Sequence, residues 1–218
     1  MSTATPARGA RSRDALLAAA RAVAAEAGWH AVTMRRVAER AGYSPALVYE
    51  YFAGKDALLL ELVRDGFRLL RARVEAARDG TARDAAGDSV RGAADALAAM
   101  GRAYWTFARE HADLYQVMYG LGGTRFPAGE TWAEGAAVGE AFGPVVAALS
   151  PERTAPGEVE RRVYTLWGTV HGLVALVLAG RLAESGDDGW GGGQALADAA
   201  VRDALAAWRA APGAPSGT

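Results

Sequence analysis

Apolar side chains recur along this chain at intervals of three and four residues, the period of a helix packed along one face. Leu16, Ala20, Val23 and Ala27 share a face of a helix expected over 12–27, and Gly28 ends it. Thr33 stands where a cap belongs, ahead of a helix over Met34–Ala41. Gly42-Tyr43-Ser44-Pro45 reads as a turn. In it Ser44 caps, and Pro45 suits the first position of a short helix over 45–51. Phe52-Ala53-Gly54 breaks that helix. A long helix from about Lys55 to Arg78 turns Leu59, Leu62, Val63, Phe67, Leu70 and Val74 inward, and Asp79–Gly87 reads as a polar linker. Further helices are expected at 88–110, 111–119, 130–149, 157–184 and 194–210. Gly120–Gly129 separates two of them as a loop. Gly186–Gly193 separates two others as a flexible connector, because its Trp-Gly-Gly-Gly lacks the Lys-Ser/Thr of a phosphate-binding loop.

The run Val163–Gly180 holds no formal charge, which raises the question of a membrane span. It contains Tyr164, Thr165, Thr169 and His171, and its apolar period starts outside it at Val159. A helix buried on most sides is the better reading. Composition agrees with an all-α fold. Ala, the best helix former, supplies about a quarter of the 218 residues, and runs of β-branched residues are scarce. The absence of Cys excludes disulfide scaffolds, Cys-ligated zinc and thiol catalysis, and the three His are far apart, so no metal site is expected. Residues 1–10 and 212–218 read as a disordered arm and tail. No apolar stretch near the start resembles a signal peptide, so a cytoplasmic protein is expected.

The net charge of −1 conceals an asymmetry. Residues 1–56 carry seven Arg and the chain's single Lys against five acids, a net of +3, and the remainder carries −4. A small basic module on a mildly acidic body suits a polyanionic partner. The two short helices joined by a Gly-containing turn have the helix-turn-helix layout, whose second helix enters the DNA major groove. Seven residues at about 1.5 Å each give about 10 Å, which fits a groove about 12 Å wide. Val37, Ala38, Ala41, Leu47 and Val48 allow the two helices to cross closely. Polar groups fall where a phosphate backbone would run. Thr33 offers a hydroxyl and a free N–H at a helix start. Tyr43, Tyr49 and Tyr51 offer phenol hydroxyls. Arg35, Arg36 and Lys55 lie at helix starts, which the helix dipole does not favour for cations, and a nearby phosphate explains them. Singly, each has an ordinary reading as half-buried core or solvated surface; it is their density within 23 residues that favours DNA.

The stretch Leu16–Leu62 resembles the DNA-binding domain of TetR-family transcriptional regulators. The resemblance rests on Ala19-Ala20, Gly28, Thr33-Met34, Val37-Ala38, Ala41-Gly42, Tyr43-Ser44, Val48-Tyr49, Tyr51-Phe52, Lys55-Asp56 and Leu58-Leu59. It implies phosphate contacts for Thr33, Tyr49, Tyr51 and Lys55, and base-edge positions for Arg35, Pro45, Ala46 and Glu50. Tyr51 stands where a His is often found, and it keeps a donor. Pro45, Ala46 and Leu47 cannot form bidentate base contacts. Specificity therefore rests on Arg35 with a guanine, on thymine methyl contacts and on DNA shape, with Glu50 facing cytosine or repelling wrong bases. The expected layout is a helix-turn-helix domain over 11–56, a bridging helix over 57–79 and a second domain over 80–211.

That second half also resembles a C-terminal subfamily of these regulators, through Phe107-Ala108-Arg109-Glu110-His111, Leu114–Tyr119 and the Trp-x-x-x-His-Gly run Trp167–Gly172. The resemblance implies a helical domain that binds a small-molecule effector and forms a homodimer. Tyr104, Phe107, Tyr115, Met118, Tyr119 and Trp132 concentrate large side chains in an Ala-rich chain, either as cavity lining or as core. Trp167 and His171 share a helix face at i, i+4, and His171 is either a hydrogen-bonded buried His or a ligand contact. Gly168 and Gly172 permit close helix approach. With Leu205 and Trp208 they are the expected dimer-interface residues, on helices 157–184 and 194–210.

An enzyme is the main rival class. No nucleophile elbow, nucleotide-binding glycine motif or metal-spaced ligand set occurs in the chain, and no cofactor is implied. The expected function is a repressor of transcription released from operator DNA by a small, mostly apolar ligand. A ligand-responsive activator on the same fold, and a ligand carrier that does not bind DNA, are the alternatives.

Overall fold

The computed structural model describes residues 6–84, 89–121, 123, 128–150, 154–155, 157–182 and 188–210. Within them the architecture is all-α. Two compact units divide the chain: residues 1–66 with 113–132, and residues 67–112 with 133–218. Among the described residues no helix is long and apolar enough to cross a membrane.

In the first unit, α1 (Pro6–Ala27) buries Leu16, Leu17, Ala20, Val23 and Ala24. Gly28, at φ 79°, turns the chain into a single 3-10 turn at Trp29–Ala31. Next come α2 (Met34–Ala41) and α3 (Pro45–Tyr51), and then α4 (Lys55–Asp84). Helix α1 packs on α2, and α2 on α3. Helix α6 (Ala112–Met118) buries Leu114, Tyr115, Val117 and Met118. A Cβ on Gly66 would lie 2.5 Å from the Met118 sulfur, so this glycine makes room for the methionine. Ion pairs tie the unit together: Arg13 binds Glu61, and Arg40 binds Glu26 through bonds of 2.8 and 2.5 Å. The Arg40 hydrogen bond holds the Glu26 carboxyl below its usual range.

In the second unit, α5 (Ser89–Glu110) packs against α8 (Glu158–Leu178) and α9 (Trp190–Ala210), and α8 packs against α9. Helix α7 (Ala128–Ala148) contributes Val138, Ala141, Val145 and Val146 to the buried set. All six positions expected to face inward from α4 are buried. Residues 55–66 of α4 belong to the first unit and 67–84 to the second.

Several boundaries differ from those expected. Helix α1 starts at Pro6, so residues 6–10 are helical and not a disordered arm; proline suits a first helical turn, and Ala and Arg propagate the helix. Residues 79–84 continue α4 in place of a polar linker. Helix α8 stops at Leu178, because Gly180 takes φ 66° and the Arg181 N–H folds back onto the Leu176 carbonyl at 2.8 Å. Trp190-Gly-Gly-Gly is not a flexible connector but the first turn of α9, where the Asp188 carboxylate accepts the Trp190 N–H at 3.0 Å. Nor is α8 buried on most sides. Val170, Val174 and Val177 are buried, whereas Tyr164, Trp167, Gly168 and Leu176 are exposed in the single chain. Residues 1–5, 211 and the tail 212–218 lie outside the described residues.

Candidate nucleic-acid interface

Local chemistry builds the α2–α3 pair. The Thr33 hydroxyl oxygen accepts the Arg36 N–H at 3.2 Å and the Ser44 hydroxyl oxygen accepts the Leu47 N–H at 3.3 Å, so both expected caps are formed. Gly42 closes α2 at φ 73°, a left-handed conformation, and its N–H reaches the carbonyls of Ala38 and Glu39. The Tyr43 N–H bonds to the Ala38 carbonyl at 3.0 Å. Val37, Ala38 and Val48 fill the crossing.

That packing fixes which way α3 faces. Val48 points inward, while Pro45, Ala46, Tyr49 and Glu50 are exposed, Tyr49 at 57%. An outward tyrosine on a seven-residue helix contributes little to the core of its own chain, which disposes of the reading of Tyr49 as half-buried filler. Thr33, Ser44, Arg35 and Arg36 are exposed as well, and Tyr43 and Tyr51 are half-buried.

The cations have protein partners that the sequence did not disclose. Lys55 Nζ donates to the Trp29 carbonyl at 2.9 Å. Arg35 Nε donates to Glu39 at 2.7 Å across one helical turn, and Arg36 reaches the Ala31 carbonyl at 3.3 Å. A phosphate is therefore not required to explain cations at these helix starts. The ammonium and the guanidinium groups still have donors beyond these bonds. Trp29, which the sequence reading did not single out, is a hub. It accepts from Lys55, and its indole Nε1 donates to the Asp113 carbonyl at 2.8 Å. A Trp directly after a helix-ending Gly was the available signal.

In the second unit the structure brings three of the expected effector residues together. Trp167 Nε1 donates to the buried Tyr104 hydroxyl at 3.1 Å, and its ring stacks on His171 with centroids 5.3 Å apart. Burial lowers the pKa of His171 and favours the neutral imidazole. Phe107 is fully buried, with its ring edge-on to His111 at 5.0 Å. Tyr115 and Tyr119 pair in the first unit at 4.6 Å, and Met118 lies against Gly66 there. Trp132 falls in α7, with its side chain outside the described residues.

Of the expected interface residues, Gly168 is exposed, and a Cβ on either Gly168 or Gly172 would meet open space. Leu205 and Trp208 are half-buried. The Trp208 ring lies 5.0 Å from the Arg162 guanidinium, a residue the sequence reading missed. Arg162 is only 6% exposed and also donates to Glu158 at 2.8 Å and to Ser150 at 3.0 Å.

A capped two-helix head with an outward-facing second helix, on an otherwise helical chain, defines a helix-turn-helix transcriptional regulator. Residues 16–62 match the family described as "Bacterial regulatory proteins, tetR family", and residues 97–203 match "Tetracyclin repressor-like, C-terminal domain". The chain belongs to the TetR family of bacterial DNA-binding regulators. HTH-type transcriptional regulator BetI of Rhizobium meliloti (strain 1021) is 41% identical over 70 residues, which are 32% of this chain and 34% of BetI. That match spans about a third of the relative's length. The crystal structure of regulatory protein SCO4313 is 25% identical at TM-score 0.72, covering 94% of this chain and all of the other. Thermus thermophilus FadR, a TetR-family transcriptional repressor crystallised with lauroyl-CoA, is 20% identical at TM-score 0.61. The alignment covers 94% of this chain and 99% of FadR, and at that identity the likeness concerns the fold.

Proposed function

We propose that the protein is a cytoplasmic homodimeric repressor that leaves its operator when a small, mostly apolar effector binds. The reading rests on the outer face of α3, where Pro45, Ala46, Tyr49 and Glu50 are solvent-facing while Val48 anchors the helix. Tyr49, Tyr51, Tyr43, Thr33, Ser44, Arg36 and Lys55 hold phosphates and set the register of the head. Arg35 leaves Glu39 to pair with a guanine, because a bidentate contact to O6 and N7 offers more than an exposed i, i+4 ion pair. Ala46 and Pro45 meet thymine methyl groups.

The exposed face of α8, with Tyr164, Gly168 and Leu176, and Leu196 on α9, supports pairing with a second copy. Two heads are then joined on one duplex, each of modest charge. In the effector half, His171 or a tyrosine hydroxyl orients the polar group of the ligand, and the rings supply apolar contact. Helix α4 has residues in both units, so a ligand that favours one tilt of it alters how the heads meet successive grooves. A ligand binding the DNA-incompetent state about 100-fold tighter contributes at most about 2.7 kcal/mol per site.

The test is binding of an operator library by Arg35→Ala and Tyr49→Phe. Arg35→Ala should lose about 1–3 kcal/mol at one base pair and keep its non-specific affinity. Tyr49→Phe should lose affinity evenly across sequences. A uniform loss in both variants would refute the division between reading and holding residues.

A further inference from the structure

We propose that the DNA interface extends beyond the two-helix head onto the first turns of α1, where Arg11, Ser12 and Tyr43 form an additional phosphate-holding corner. The inference rests on the DNA-binding reading above and adds residues to it. Helix α1 begins at Pro6, and two of its early residues approach tyrosines that flank α3. The Tyr43 hydroxyl donates to the Ser12 hydroxyl at 3.5 Å, just ahead of the α3 cap. At the other end of α3, a Cβ on Gly9 would stand 3.9 Å from the Tyr51 hydroxyl. A phosphate that meets Tyr43 therefore also meets α1. The 3.5 Å contact is at the long limit of hydrogen bonding, so the single Tyr43 O–H can turn from Ser12 to a phosphate oxygen at little cost.

The α1 arginines whose side chains are described divide into two kinds. Arg13 faces the protein: it pairs with Glu61 and Asp65, and its guanidinium lies 5.9 Å from the Phe52 ring centroid. Arg21 lies 3.6 Å from the Asp113 carboxylate. Arg11 is exposed, next in sequence to Ser12, and has no hydrogen bond or ion pair among the described residues. Among the described residues its guanidinium has no partner to leave before it engages a phosphate, unlike Arg35, Arg36 and Arg40.

The experiment measures binding of the full chain to a labelled random-sequence duplex and to a selected operator over about 50–200 mM salt. Variants are Arg11→Ala, Arg11→Lys and, as a control for lost charge, Arg102→Ala, another exposed arginine, on α5. Arg11→Ala should flatten the plot of log affinity against log salt by about 0.9 for each engaged head, on both duplexes alike. Arg11→Lys should restore most of the slope, and Arg102→Ala should leave it unchanged. An unchanged slope in Arg11→Ala, or an equal loss in Arg102→Ala, overturns the proposal while leaving the two-helix interface intact. Absence of salt-dependent binding by the unaltered chain would overturn both.

Discussion

The start of α9 offers a matched pair of substitutions. A Cβ on Gly193 would lie 2.7 and 2.8 Å from the Cη2 and Cζ2 carbons of Trp105 and 2.9 Å from a Val177 methyl. Carbon atoms in contact prefer about 3.5–4.0 Å, so the ring would have to retreat by most of an ångström. Trp105 has no slack, being 1% exposed and edge-on to Trp190 at 5.5 Å. Overpacking of this kind costs about 1–3 kcal/mol, against which Ala returns at most about 1 kcal/mol of helix propensity. Gly192→Ala meets open space in the same turn and keeps only the propensity gain. The two variants should differ by about 2 kcal/mol with opposite signs. That is a gap of roughly 4–8 °C in Tm for a chain of this size. Thermal melts at one fixed protein concentration read it directly, since association would otherwise shift the midpoint. Equal midpoints would mean that the segment is the loose connector its glycines suggest, and the packing argument would be wrong.

Three other outcomes follow. Gly168→Leu with Gly172→Leu should convert the proposed dimer to monomer or aggregate in light scattering, and a dimer that still binds operator would place the interface elsewhere. Trp167→Phe removes the N–H donated to Tyr104 and should cost about 1 kcal/mol in denaturant melts while abolishing the ligand response; an intact response would exclude this residue from the effector site. Hydrogen bonds from Arg161, then Arg162, lower the Glu158 pKa from an ordinary 4.5 to about 2. The stabilisation is therefore complete above pH 4.5 and lost as pH falls toward 2. Glu158→Gln should flatten the acid limb of a stability-versus-pH curve over that window, and identical limbs would contradict the assignment.

The head was legible from sequence because its signals are local. Thr33 and Ser44 cap within three residues, Gly42 supplies the left-handed turn and Pro45 opens α3. Each acts on its immediate neighbours, so spacing alone places two helices and the residues between them. Some helix ends were misjudged locally, but the misreadings at the site and at α9 involve partners distant in sequence. The carbonyl that accepts from Lys55 belongs to Trp29, and the ring that requires a glycine at 193 belongs to Trp105. Glycine content argued for a loop after Gly186, yet tertiary contact overrode propensity there. The burial expected for α8 failed for a related reason: an apolar period marks a face suited to burial, and not whether its own chain covers it.

Footprinting on the DNA flanking the protein's own gene tests the central claim most directly. Protection of a pseudo-palindrome with half-sites about one helical turn apart, roughly 34–36 Å centre to centre, is the predicted result. Protection of a lone half-site, or none at any protein concentration, would contradict a paired-head regulator.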